Sequence, residues 1–171
     1  MIEEQIMTLM RKLDRLSTKD QMKLLSEAHA QRQELTLTLL KALEDESSHE
    51  TQLAAIYLMG CHRLIEGVQD LVQRIDFKSV VGKIRPMPIW SEFPSLDALI
   101  NIGRPVISAT LELLATESDD LRRDLAVKVI RYVEDSEIAQ LILERAHMNE
   151  PDADRKTKLK DALRRLAQLP K

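Results

Sequence analysis

Leu96-Asp97-Ala98-Leu99-Ile100-Asn101-Ile102-Gly103-Arg104-Pro105-Val106 is the stretch on which the fold turns. Leu96, Leu99 and Ile100 recur at helical spacing, so residues 95–102 predict a short helix with one apolar face. Gly103 ends it, and Pro105 opens another, because proline in a first turn gives up an N–H that has no intrahelical partner. The second helix, 105–116, carries Ile107, Leu111 and Leu114. So short a connection makes neighbouring helices lie antiparallel.

The same punctuation spreads outward from this unit. Segment 49–60 is apolar at Leu53, Ala54, Ile56, Tyr57 and Leu58 and stops at Gly60, and 64–75 carries Val68, Leu71, Val72 and Ile75. Downstream, 120–134 carries Leu121, Leu125, Val129, Ile130 and Val133, 136–147 carries Ile138, Leu141 and Ile142, and 154–169 carries Leu159, Leu163 and Leu166. Upstream, Ile2, Ile6, Leu9, Leu13 and Leu16 form one stripe, packed on the chain's own domain or forming a dimer seam. Ser17-Thr18-Lys19-Asp20 reads as a helix start. Residues 20–45 read equally as one helix or as two with a break near 31–33.

Composition agrees. The 171 residues hold 27 leucines but only 4 glycines, too few for the turns of an all-β or loop-rich α/β fold. The single cysteine excludes an internal disulfide framework and a multi-cysteine zinc site. The net charge of −3 gives no whole-molecule attraction to phosphate backbones or anionic lipid. The acidic start Met1-Ile2-Glu3-Glu4 lacks the pattern of a secretory signal, and no apolar run reaches membrane length, so a cytoplasmic protein is expected.

Residues 38–58 align with 110–130 at a shift of 72: Thr38 meets Thr110, Leu39 meets Leu111, and Leu53-Ala54 meets Leu125-Ala126. Leu39, Leu40 and Leu43 also match Leu71, Val72 and Ile75 at a shift of 32. A period of about 32–40 residues with two helices per unit is the mark of an α-solenoid. Over about residues 33–147 the chain resembles the HEAT-repeat family, in particular the HEAT-like repeats of phycobilisome lyase subunits. Leu53-Ala54-Ala55-Ile56-Tyr57-Leu58-Met59-Gly60 and the 96–106 stretch carry the likeness, with Asp119-Asp120-Leu121-Arg122-Arg123-Asp124-Leu125-Ala126 as the acidic, Arg-containing start of the next unit. Residues 121–134 depart from the pattern, having Tyr132 and Val133 where a terminal Gly is usual. The expected fold is therefore all-α, a single HEAT-like (armadillo-like) solenoid over 1–171. Residues 1–32 would cap its N-terminal end, 33–147 would form the repeats and 148–171 would be a C-terminal capping helix.

An insertion interrupts the second unit at 76–94. Its prolines Pro86, Pro88 and Pro94 forbid a regular helix through its second half, and it holds Phe77, Trp90 and Phe93. Such a loop either plugs the space between units or faces a partner, with Lys83 and Arg85 exposed in both cases.

Catalytic patterns are missing. Gly60, Gly67, Gly82 and Gly103 are isolated, so there is no phosphate-cradling loop. His29, His49, His62 and His147 have no second ligand at helical metal-site spacing. Adjacent Cys61 and His62 point about 100° apart on a helix. They read as a small buried residue and an exposed turn residue rather than a nucleophile and its base. The acids Glu44, Asp45, Glu46, Glu117, Asp119 and Asp120 suit helix starts better than a catalytic pair. In 152–171 the cations Arg155, Lys156, Lys158, Lys160, Arg164, Arg165 and Lys171 form a solvated cap face or a dock for phosphate or an acidic partner.

The leading expectation is thus a non-enzymatic protein–protein interaction scaffold needing no cofactor or metal, a monomer or weak homodimer with a protein partner. The second helices of the units would offer Gln69, Gln73, Glu112, Gln140 and Glu144, and the insertion Lys83, Arg85, Trp90 and Phe93. Nucleic-acid binding, as in HEAT-like DNA glycosylases, is the first alternative, disfavoured by a neutral-to-acidic face. The second, implied by the resemblance alone, is a subunit of a chromophore lyase.

Overall fold

A computed structural model of the chain describes Thr8 and residues 32–44, 48–79 and 92–169. The expected stripe at 1–16, the helix start at 17–20, and Lys83, Arg85 and Trp90 lie outside the described residues.

The described elements are all helical: α1 (Arg32–Glu44), α2 (His49–Cys61), α3 (Val68–Gln73), α4 (Pro94–Ile102), α5 (Ile107–Thr116), α6 (Asp120–Val133), α7 (Ser136–Asn149) and α8 (Ala153–Gln168). Single 3₁₀ turns, Ile65–Gly67 and Arg104–Val106, lead into α3 and α5. The helix expected over 64–75 is therefore split into a 3₁₀ turn and the six residues of α3. Pro105 likewise sits in a 3₁₀ turn ahead of α5 rather than in its first α-turn.

Packing repeats along the chain. α1 lies on α2, α3 on α4, α5 on α6 and α7 on α8, while α2, α4, α6 and α8 pack in succession and α5 also meets α8. The sequence reading paired the helices one step out of phase, joining α2 to α3, α4 to α5 and α6 to α7. The turns explain the difference. In three of the four described hairpins the connection is brief and ends on a side-chain cap, Ser48, Asp119 and Asp152 each accepting from the backbone N–H three residues on, whereas the insertion separates α3 from α4 and Phe93 supplies no side-chain cap. Between hairpins, Gly103 and the following 3₁₀ turn bend the path by 114° from α4 to the Arg104–Thr116 segment. The alignment at a shift of 72 nonetheless lays one real hairpin, α1–α2, over another, α5–α6.

The core is aliphatic. α2 is apolar nearly all round, with Leu53, Ala54, Ala55, Ile56, Leu58 and Met59 buried, as a helix flanked on both sides by α1 and α4 must be. Leu96, Ala98, Leu99 and Ile102 of α4, then Leu125, Ala126, Val129 and Ile130 of α6, continue it to Leu159, Ala162 and Leu166 of α8. The last three form one stripe on a helix whose remaining residues are mostly polar or charged.

Three sequence expectations are corrected here. Gly60 does not end α2, which runs on to Cys61. Arg63 instead takes the left-handed conformation (φ 49°) that turns the chain, while Gly103 (φ 85°) ends α4 as expected. With Gly60 against α4, Cys61 faces solvent and His62, at the helix C-cap, is folded back to 7% exposure. Leu121, Ile138 and Leu141, read as core, are exposed. α7 turns Ala139 and Leu143 inward instead, because that is the face lying along α8.

Gly60 is where α2 and α4 come closest: a Cβ there would stand 2.7 Å from the Ala98 Cα. Gly60→Ala should therefore destabilise the fold by about 1–3 kcal/mol despite alanine's better helix propensity. Gly67→Ala, which meets only the flexible end of Met59, should be nearly neutral. Urea denaturation midpoints of the two variants check this; equal midpoints would count against a tight α2–α4 crossing.

Candidate interaction surface

Two arginine clamps organise the edge of the stack where the hairpins turn. After the cap Asp119, Arg122 donates from Nε to Glu117 (2.7 Å) and from one terminal nitrogen to Asp76 (2.8 Å) and the Gln73 carbonyl (2.9 Å). After the cap Asp152, Arg155 donates from Nε to Glu150 (3.0 Å) and through both terminal nitrogens to Glu112 (2.8 and 2.7 Å). Each clamp ties the start of an even helix to an earlier part of the stack. Glu117 and Glu150 also accept backbone N–H bonds from the turns that they open.

A third cluster fastens α8 to α6. Arg165 donates to Asp161, Asp120 and Asp124, Arg164 to Asp161, and buried Arg123 reaches Asp161 and the Lys158 carbonyl (2.7 Å). On the opposite edge Arg32 pairs with Glu66 and Arg104 with Glu134. Much of the C-terminal basic charge is thus spent internally. Lys156 and Lys160 keep no ion partner among the described residues.

These pairings set the acids. The backbone N–H of Asp119, then that of Ser118, and the Arg122 side chain hold Glu117 below the usual carboxylate range, and Arg155 does the same for Glu112. Burial alone would raise Asp161, but Arg165, Arg123 and Arg164 together outweigh it and lower it. Burial pushes the Cys61 thiol up, against a hydrogen bond with Tyr57, even though the residue's edge is exposed.

The anticipated contact residues scatter. Gln69 and Gln73 on α3 are exposed, but the Gln73 carbonyl serves Arg122. Glu112 is engaged by Arg155, and Gln140 donates to Glu144 (2.7 Å). Phe93 is half-buried at the foot of the insertion, with the Lys78 ammonium 5.5 Å from its ring centre. There Ser79 N–H donates to the Glu92 carbonyl (3.0 Å), Lys78 pairs with Glu92 (2.9 Å), and His49 stacks on Phe77 (4.5 Å).

The surface that sequence reasoning missed is the outer side of α7. Leu141 is 62% exposed, Met148 68% and Ile138 37%, at spacings of three and seven, with exposed Arg145 between them. Tyr132, also 62% exposed, lies four residues before the helix begins. Solvent-facing apolar side chains along one helical line mark contact surfaces more often than scattered ones do. The available signal was that α7 carries more large apolar residues than a single buried face can take up.

No family model, curated protein or solved structure matches this chain. Among the described residues no group of three or more His, Cys, Asp or Glu could hold a metal ion, and no single helix is long and apolar enough to cross a membrane.

Because Glu112, Glu117 and Asp161 titrate lower folded than unfolded, the unfolded chain binds more protons over the window between the two values. Their contribution is complete above the unfolded carboxylate range and is lost as pH falls through the folded values. Stability should accordingly decline below about pH 5. Arg155→Gln should flatten that decline, since it frees Glu112. Urea midpoints taken across the acid range, parent against variant, measure the difference; parallel profiles would show that the clamp does not bias Glu112.

Proposed function

We propose that this chain is a non-catalytic protein-binding module: a short HEAT-like solenoid, with four helical hairpins among the described residues, that presents the outer side of α7 to another protein. The observation that carries the proposal is the line Ile138, Leu141 and Met148, exposed on a helix whose opposite side, Ala139 and Leu143, is fully buried. A helix fixed on one face, with an apolar line along the other, offers a rigid contact strip without an ordering cost. The binding of nucleic acid is less well supported, because Arg122, Arg155 and Arg165 are committed to carboxylates and the net charge is negative.

A photoreactive residue placed at position 141 in cells that make the protein should give discrete protein adducts. Met148→Glu should weaken or abolish them, while a photoreactive residue at exposed Lys160 should give none of the same adducts. Smears indifferent to Met148→Glu, or no adducts at all, would overturn the reading.

A further inference from the structure

We infer that the occupant of the α7 strip is a second copy of the chain, bound across a twofold axis that runs parallel to α7. This inference rests on the proposal that the strip is a contact surface. On the helical wheel, Leu141 and Met148 form the centre line of the exposed face, spaced by two turns. Glu137 and Glu144 flank that line on one side, and Ile138 and Arg145 on the other. Among the described residues exposed Arg145 has no ion partner and the Glu144 side chain accepts from Gln140 alone.

A twofold axis along the helix places opposite flanks in contact. Leu141 then meets the partner's Leu141 and Met148 meets the partner's Met148. Arg145 of each copy comes to the side on which the other carries Glu144, so the pair forms twice. An antiparallel pairing would instead set the two acidic flanks against each other. Charge complementarity therefore selects both the occupant and its direction. An apolar line flanked by two acids on one side and by Ile138 and one arginine on the other is self-complementary through the Arg145–Glu144 pair, as a closed twofold contact requires.

Sedimentation velocity of the full chain over a range of concentrations should show a reversible monomer–dimer equilibrium. Leu141→Glu with Met148→Glu should raise the dissociation constant at least about tenfold. Arg145→Glu should weaken the dimer, and Arg145→Glu combined with Glu144→Arg should restore it. In a Cys61→Ser background, Leu141→Cys should oxidise to a symmetric disulfide dimer, whereas Ala153→Cys, exposed on α8, should not. The cysteine variants decide the matter even where a glutamate variant fails to fold. A chain that stays monomeric at every concentration, or a dimer indifferent to all these changes, overturns the inference. Should position 141 cross-link to a different protein while the chain sediments as a monomer, the inference falls and the interaction reading stands. Monomer with no adducts removes both.

Discussion

The close approach of α2 to α4, with Gly60 laid on Ala98, is the constraint from which the rest of the stack follows. A helix pair can come this near only where one partner has no side chain at the crossing. Once α2 is seated there, it is covered by α1 on one side and α4 on the other, and its apolar residues need no polar face. α4 is then positioned to receive α6, and α6 to receive α8. Each even helix buries what its predecessor leaves open, and the series ends at α8, whose buried stripe Leu159, Ala162 and Leu166 is backed by charged residues. The buried residues of the successive helices join into one continuous aliphatic core, from Leu39 of α1 to Leu166 of α8.

The arginine clamps act on register more than on gross stability. Single ion pairs that are partly exposed contribute little, because solvent screens them. Here each guanidinium satisfies several acceptors at once and ties a helix start to an earlier part of the stack. That geometry penalises an even helix that slides or rotates. It also reduces the free basic charge of 152–169: Arg155 is turned to Glu112 and Glu150, and Arg165 to Asp120, Asp124 and Asp161.

Helix existence was legible in the sequence because turn chemistry is local. Gly103, Pro105 and the Asp119 cap each act over a few residues, and each stands where the punctuation placed it, although Pro105 proved to lie in a 3₁₀ turn. Which helices pair was not legible, because a tight hairpin turn and a bent junction are equally brief on paper. The second clamp was visible all along. Glu150-Pro151-Asp152-Ala153-Asp154-Arg155 repeats Glu117-Ser118-Asp119-Asp120-Leu121-Arg122 at a shift of 33, with glutamate, cap and arginine in the same places. Reading 152–171 as a charge cluster, rather than aligning it, hid the repeat. Cys61 and His62 were inverted for a related reason: their facing depends on Gly60 meeting Ala98, a contact between segments far apart in the chain.

The outer side of α7 shows where pattern reading reaches its limit and what lies past it. Ile138, Leu141, Ile142, Leu143 and Met148 spread apolar character around most of the helix, so periodicity alone cannot say which side faces in. The decision is made by α8, which packs along Ala139 and Leu143, where a small residue next to a leucine fits the space between two helices. What remains outside is not random surface. It is a line of leucine and methionine with an acid flank and a basic flank, on a helix fixed to the last hairpin of the stack. The contrast between the neighbouring helices α8 and α7, one outward face charged and the other carrying an apolar line between charged flanks, is the physical ground for the proposal that α7 makes a contact.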